Sequence, residues 1–400
     1  MISSLRQHFN ASFTDKKYQD CLAYISLHFP NALDFKVAET PIFIDEKFTT
    51  TLLALGNYVN EQILGATFKD LTEKSLVKQA IAPNEPPNPS CIVMDFAIAK
   101  NDKNELVPKL IELQGFPSLF AFELLHEEAL KNNYTLPENY SPFLNGYNKE
   151  KYLAHLKQII CGNKGEHTVL LELYPDQQKT RIDFYCTKKY LNIPIVCISE
   201  LEQKGNQLFY TRNGISTKID RIYNRVIFDE LHQQPLAIQE KGKLLLNELE
   251  VSWVTHPNHF YRISKYLMPF LNHPLIPKTK FVDQLSAIPS SLEQFILKPL
   301  FSFAGQGVII DIQPTDFEKL KDVENWILQQ KVPYAECIET PTGPAKAEIR
   351  LFYFWDEPTQ QYIATMNLAR LSKGKMIGVD YNRDATWVGG TLAYFEQKKH

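Results

Sequence analysis

The sequence predicts a mixed α/β protein, and three observations carry that reading. Near the middle of the chain, Val169-Leu-Leu-Glu-Leu173, the amphipathic stretch Gln177 to Leu191 and Ile193-Pro-Ile-Val-Cys-Ile198 follow one another as strand, helix and strand. On either side lie hairpins whose apolar strands each contain a charged residue. The chain has 400 residues, 44% of them hydrophobic and 12% aromatic, enough core for two or three domains.

In chain order, residues 1–90 read as largely helical. Tyr18 to Phe29 and Phe48 to Phe68 carry apolar residues at helical spacing, with Leu52, Leu55, Val59 and Ile63 marking the second. Thr40 to Asp45 is a short extended piece, and Asp45 is placed to cap the helix after it. Pro83, Pro86, Pro87 and Pro89 end the helical region. Cys91-Ile-Val-Met-Asp95-Phe-Ala-Ile-Ala99 is then a strand. The polar turn Lys100 to Glu105 and the strand Pro108 to Pro117 complete a hairpin. Alternation puts Glu112 and Gln114 on one face of it. Asp95, Glu112 and Gln114 are hard oxygen donors of the kind Mg²⁺ takes, although an edge hairpin with a solvated face explains Glu112 and Gln114 equally well. Helices are expected over 118–160, with a loop around Pro137 to Asn148.

The α/β segment follows at roughly 150–250, with hairpin-like strands at Gln207 to Tyr210 and Thr217 to Ile222. Arg225 closes it at a strand end, where it would bind an anion or pair with a surface Asp. A helix is expected over Leu236 to Leu249, a strand over Glu250 to Val254 and a further helix over Asp316 to Gln330. Phe295 to Asp311 reads as a second hairpin, with Lys298 in one arm and Gly305, Gln306 and Gly307 in the turn. Buried lysine is costly without an anion, and glycines let backbone N–H groups approach one; snorkelling to solvent is the alternative for Lys298. Strands at Val332 to Glu339, Glu348 to Phe354 and Tyr362 to Arg370 finish the chain. Arg350 and Arg370 interrupt the last two as Lys298 does the earlier strand, a pattern that suggests a polyanion site.

Net charge of −3 and a pI near 6.4 give no reason to expect a nucleic-acid or membrane partner. Met1 to Asn10 has no apolar stretch, so no secretory signal is expected, and no run is long enough to span a bilayer. The six cysteines are scattered without a C-x-x-C, which fits reduced thiols and a cytoplasmic location.

Taken together, these pieces resemble the ATP-grasp superfamily. Over 250–400, Lys265 and Lys298 match its two ATP-binding lysines, and 301–307 its mobile glycine loop. Glu336 to Glu339 match the linker that holds adenine and ribose, and Glu348-x-Arg350 with Arg370 the phosphate side. The usual closing Asp and Glu-x-Asn do not follow; Asp95 and Glu112-x-Gln114 look like that hairpin moved to the front, with Gln for Asn. The order resembles the circularly permuted branch that includes glutathionylspermidine-synthase-like proteins. The resemblance implies three parts: residues 1–148, a helical segment with the permuted metal hairpin; 149–250, a small open α/β (pre-ATP-grasp) domain; and 251–400, the nucleotide-binding region.

It further implies an ATP- and Mg-dependent ligase that joins small-molecule carboxylate and amine substrates through an acyl phosphate. Lys265, Lys298, Gly305, Gln306, Gly307, Glu336, Ile338 and Glu339 would bind ATP. Asp95, Glu112 and Gln114 would hold magnesium, Arg350 and Arg370 would be catalytic, and Arg225 would meet substrate. The alternatives are a nucleotide-binding protein that no longer catalyses, or a structural protein whose buried cations pair with Glu339 and Glu348. If the first holds, residues 95, 112 and 114 converge on one cleft with Lys298, Arg350 and Arg370.

Overall fold

A strand from the first third of the chain sits in the middle of a sheet built from its last third. In the computed structural model, which describes residues 2–76, 80–162, 165–302, 305–375, 377, 382 and 384–398, Cys91–Lys100 pairs antiparallel with both Leu106–Gln114 and Ala345–Asp356. The sheet continues through Gln361–Ser372 to Gly389–Thr391, and Glu336–Ile338 adds a sixth strand beside Ala345–Asp356. The expected hairpin at 91–117 is thus present, and both strands around Arg350 and Arg370 are found.

The two faces of this sheet have different fates. One face, through Met94, Phe96, Leu113, Ile349, Leu351 and Leu371, packs under the helix Glu46–Leu64 in a continuous core. Asp45 caps that helix as expected, accepting from the Phe48 N–H at 2.9 Å. On the other face, Cys91, Val93, Phe352 and Phe354 pack on Phe120 and the helices Phe122–Asn133 and Lys149–Cys161. Further along the same face stand Asp95 with Glu112 and Arg350, and then Glu348 with Arg370. Alternation along each strand therefore places charge where apolar neighbours run out.

A second sheet is fully parallel, in the order Ser252–Val254, Arg221–Asn224, Thr168–Glu172, Ile195–Cys197. The helix Arg181–Leu191 connects its last two strands in the expected strand–helix–strand unit. Further three-stranded sheets join Leu201–Lys204, Gln207–Arg212 and Ile215–Ile219, and Ile42–Ile44, Ala393–Glu396 and Tyr140–Ser141. The last joins an N-terminal strand to a C-terminal one.

The sheet that carries Lys298 departs from expectation. It consists of Thr279–Phe281, Trp326–Gln330 and Phe295–Pro299, antiparallel throughout. The helix expected over 316–330 is confined to Pro314–Glu318, and Trp326–Gln330 is the central strand. Its backbone pairs with both neighbours, and Ile327 and Leu328 are buried in separate apolar clusters on opposite faces of the sheet, which outweighs their local helical spacing. The second arm of the expected 295–311 hairpin reduces to one bridge, Leu297 with Ile309. The expected helix 236–249 ends at Leu244.

All six cysteines are free, and no helix among the described residues is long and apolar enough to cross a membrane.

Gly115 ties the first sheet to the segment 259–263, which leads into Lys265. Its N–H donates to Ile263 O at 2.7 Å, and a Cβ there would lie 2.3 Å from His259 O and 2.9 Å from Ile263 Cβ. Gly115→Ala should therefore destabilise the fold by about 1–3 kcal/mol, read as a lowered urea midpoint. An unchanged midpoint would show that this approach is not tight.

Candidate functional site

Strand register builds the floor of the site. Asp95 stands opposite Glu112 on one side and Arg350 on the other, and Glu348 stands opposite Arg370. Cross-strand neighbours share a face, so these side chains meet above the sheet. Arg350 Nε and Nη2 donate to the two oxygens of Asp95, each at 2.6 Å, a bidentate fork. Arg370 Nη2 donates to Asp95 Oδ2 at 2.9 Å and also pairs with Glu348. The Tyr334 hydroxyl donates to the other Glu348 oxygen at 2.9 Å.

Burial opposes charge on Asp95, which is 1% exposed, but Arg350 and Arg370 together hold its pKa below the usual carboxylate value. Glu348 goes the other way. Burial raises its pKa, and Arg370, shared with Asp95, only partly offsets that. The same two carboxylates keep Arg370 firmly protonated against its own burial.

The opposite wall comes from elsewhere in the chain. Lys298, 8% exposed on its strand, donates to Ile111 O at 3.3 Å across 187 residues of sequence. Burial depresses its pKa to about 8, with Glu112 working in the opposite direction and Lys265 adding to the depression. Lys265, at the start of the 3₁₀ turn Lys265–Phe270, pairs with Glu112 Oε1 at 3.2 Å and donates to Ser302 O at 2.7 Å. Glu112, Gln114 and Lys265 line a crevice with Phe116, Phe260 and Phe301. It encloses about 20 Å³, space for about one water.

The structure thus brings Asp95, Glu112, Gln114, Lys265, Lys298, Arg350 and Arg370 together, although Asp95 and Arg350 are 255 residues apart. Other expected residues lie outside these contacts. Glu336 and Glu339 are exposed, the former 3.8 Å from Lys346, while Ile338 is buried in the core. Gly305 and Gly307 take positive φ, as a turn built on glycine requires, with Gln306 exposed between them; part of the expected 301–307 loop, Phe303 and Ala304, lies outside the described residues. Arg225 neither pairs with a surface Asp nor stands open to an anion. It is buried, its guanidinium between the rings of Phe116 and Phe184, and it donates to Pro117 O and Ser118 O.

Two participants escaped sequence reasoning. Ser118 Oγ accepts from Arg350 Nη1 at 3.2 Å, and Tyr334 supports Glu348. Neither sits in a motif, and the Ser118 contact spans 232 residues, so no local pattern signals it.

The geometry can hold and neutralise a polyanion, since two ammonium groups face the bidentate Arg350 guanidinium and the Arg370 guanidinium beside it. For a cation the donor set is smaller than expected. No group of three or more His, Cys, Asp or Glu among the described residues is placed to hold a metal, and both Asp95 oxygens carry arginine. Glu112 and Gln114 remain as hard oxygen donors on the crevice. That suits a Mg²⁺ ion whose shell is completed by a phosphate ligand and water, not one caged by protein.

Because the Asp95 pKa is held below its ordinary value of about 4, ionised Asp95 stabilises the native state above that pH. The contribution is lost as pH falls through the lowered native value. Asp95→Asn should cost about 3 kcal/mol at neutral pH by removing the charge that the half-buried Arg350 forks onto. It should also flatten the acid limb of the stability–pH curve. Denaturation from about pH 2 to 7 tests this, and a variant with the parent's acid slope would refute it.

No family model and no curated protein matches the sequence. Among solved structures, the chain is similar to a glutathione synthetase-like effector from Globodera pallida, solved in its apo form. The TM-score is 0.59 at 10% identity, and the match covers 97% of this chain and 98% of that one. The likeness is one of fold: a mixed α/β architecture of several sheets, similar to that glutathione synthetase-like protein along nearly its whole length.

Proposed function

We propose that the protein is an ATP-grasp ligase of circularly permuted order that joins a carboxylate to an amine at the expense of ATP. The observation that carries the proposal is that four cations meet one set of adjacent strands, Lys265 on Glu112, Lys298 beside Glu112, and Arg350 and Arg370 on the neighbouring Asp95. The placement of the 91–114 hairpin among C-terminal strands supports the permuted order, and the glutathione synthetase-like neighbour supports a ligase fold.

In the reaction, a carboxylate oxygen takes the terminal phosphoryl group of ATP and ADP leaves. The amine nitrogen then attacks the acyl carbon, the C–O bond to phosphate breaks, and nitrogen gives up a proton as the amide forms. Lys265 and Lys298 hold the triphosphate, Lys265 exchanging Ser302 O and Glu112 for phosphate oxygens. Phosphate entry therefore requires the 300–302 segment to draw back from the crevice. Glu112 and Gln114 hold magnesium, which neutralises charge at the phosphates when bound. Arg350 and Arg370, kept in register by Asp95, stabilise negative charge on the transferring group and on the acyl phosphate. Glu336 and Glu339 line the nucleoside side. The segment 149–250 supplies three of the four strands of the parallel sheet, as the substrate side, and the fourth, Ser252–Val254, comes from the start of the nucleotide-binding part.

A second reading has its own observation. With Gln114 in place of the expected Asn and both Asp95 oxygens on arginine, the cleft would bind nucleotide without turning it over. Turnover separates the two. Supplied with ATP, Mg²⁺ and a panel of amino acids, small peptides and polyamines, the ligase should release ADP and orthophosphate, and hydroxylamine should trap a hydroxamate. Release of AMP and pyrophosphate would overturn the acyl-phosphate route. Binding without any release under the whole panel would favour the second reading.

Lys298 gives a pH signature. Phosphate binds the ammonium form, whose pKa is about 8 in the free protein, so affinity for ATP should fall as pH rises through 8. Lys298→Ala and Lys265→Ala should each weaken binding by about 2–5 kcal/mol, and Lys298→Ala should remove the alkaline fall. Calorimetric titration between pH 6.5 and 9.5 reads both effects. Parent-like affinity in either folded variant would refute this placement of the phosphates.

A further inference from the structure

Arg225 remains unexplained by the function proposed above. It follows the last residue of the strand Arg221–Asn224 and is 6% exposed. Burial of a guanidinium is costly, and its contacts show where its hydrogen bonds go. One end donates to the carbonyls of Pro117 and Ser118, and its Cζ lies over two rings, 5.1 Å from the Phe116 centroid and 5.3 Å from that of Phe184. The segment it grips runs directly on from Gln114. Beyond it, Asp183 Oδ1 accepts from the N–H groups of Ala121 and Phe122, each at 2.9 Å. Residues of the parallel-sheet unit thus hold the 117–122 segment at both ends. Within it, Ser118, itself 6% exposed, presents its hydroxyl to Arg350, whose fork is fixed on Asp95.

We infer that Arg225 is a positioning residue, which sets Ser118 and through it the aim of Arg350, and so couples the parallel sheet to the phosphate side of the cleft. The inference rests on the ligase reading for what Arg350 does, but not for the mechanical link itself. Guanidinium is needed because two carbonyls and two aromatic faces are engaged at once; an ammonium supplies charge without the plane. Ser118 supplies the only side-chain contact of the 117–118 segment to Arg350 among the described hydrogen bonds.

The test is a double-mutant cycle with Arg225→Lys and Ser118→Ala, read in two ways on the full chain. The first is the affinity of the folded protein for Mg-ATP by calorimetry. Each single variant should weaken it about threefold to tenfold, and the double variant should be no weaker than the worse single, because both act on the same guanidinium. A merely structural role would lower Tm and leave the affinity of the folded fraction unchanged, or would give additive losses; either result overturns the inference. The second readout needs no ligand. In urea denaturation, Arg225→Lys and Arg350→Lys should be non-additive, whereas Arg225→Lys and Lys47→Ala, on a surface pair far along the chain, should add. If the parent binds no nucleotide, the function proposed above fails and the affinity arm fails with it. The denaturation cycle then decides the link by itself, and additivity there overturns it.

Discussion

The site depends on one electrostatic constraint, the compensation of Asp95 inside a sheet. A carboxylate in the middle of Cys91–Lys100 has apolar neighbours on its own strand and almost no solvent. It stays ionised because Arg350 faces it across the register and Arg370 reaches it from one strand further. Neither arginine could be truncated without weakening the compensation of a buried charge, so the Arg350 fork and the Arg370 Nη2 are held where a phosphate would need them. Rigid, pre-aimed donors are what electrostatic stabilisation of phosphoryl transfer asks of a protein.

Around that fixed pair, the other cations are arranged differently. Lys265 and Lys298 are point charges on flexible stems, and they rest on Glu112, Ser302 O and Ile111 O. These partners are weaker acceptors for an ammonium than a triphosphate is. The cleft therefore combines fixed guanidinium groups on one sheet with exchangeable ammonium groups on the facing wall. Glu348 and Tyr334 keep the fixed side balanced, and the raised Glu348 pKa reflects its burial first and the neighbouring Asp95 charge after it.

The apolar packing explains why this charge sits at one end of the sheet. Phe120, 4.8 Å from Phe352 and 5.0 Å from Phe354, seals the same face further along. Chain continuity then matters, since Phe120 closes the segment that carries Ser118 and is gripped by Arg225. The core and the site share one short connection, and Gly115 lets that connection press against His259 and Ile263.

Much of this was legible in the sequence because its causes are local. Alternating apolar residues with a lone charge marked the strands holding Asp95, Lys298, Arg350 and Arg370, and helical spacing with an Asp cap marked Glu46–Leu64. What the sequence by itself determined is therefore the identity and period of most elements and the charges that do not belong in them. Tertiary structure decided the rest. Trp326–Gln330 has apolar spacing that serves a helix as well as a strand, and only the open edges of Thr279–Phe281 and Phe295–Pro299 select the strand. Arg225 stands at a strand end, where sequence places an anion contact. Only the arrival of Pro117 and Ser118, with Phe116 and Phe184, converts it into a buried anchor. Hydrogen bonds between residues hundreds of positions apart leave no periodic trace, because either partner alone looks like an ordinary polar residue until the fold supplies the other.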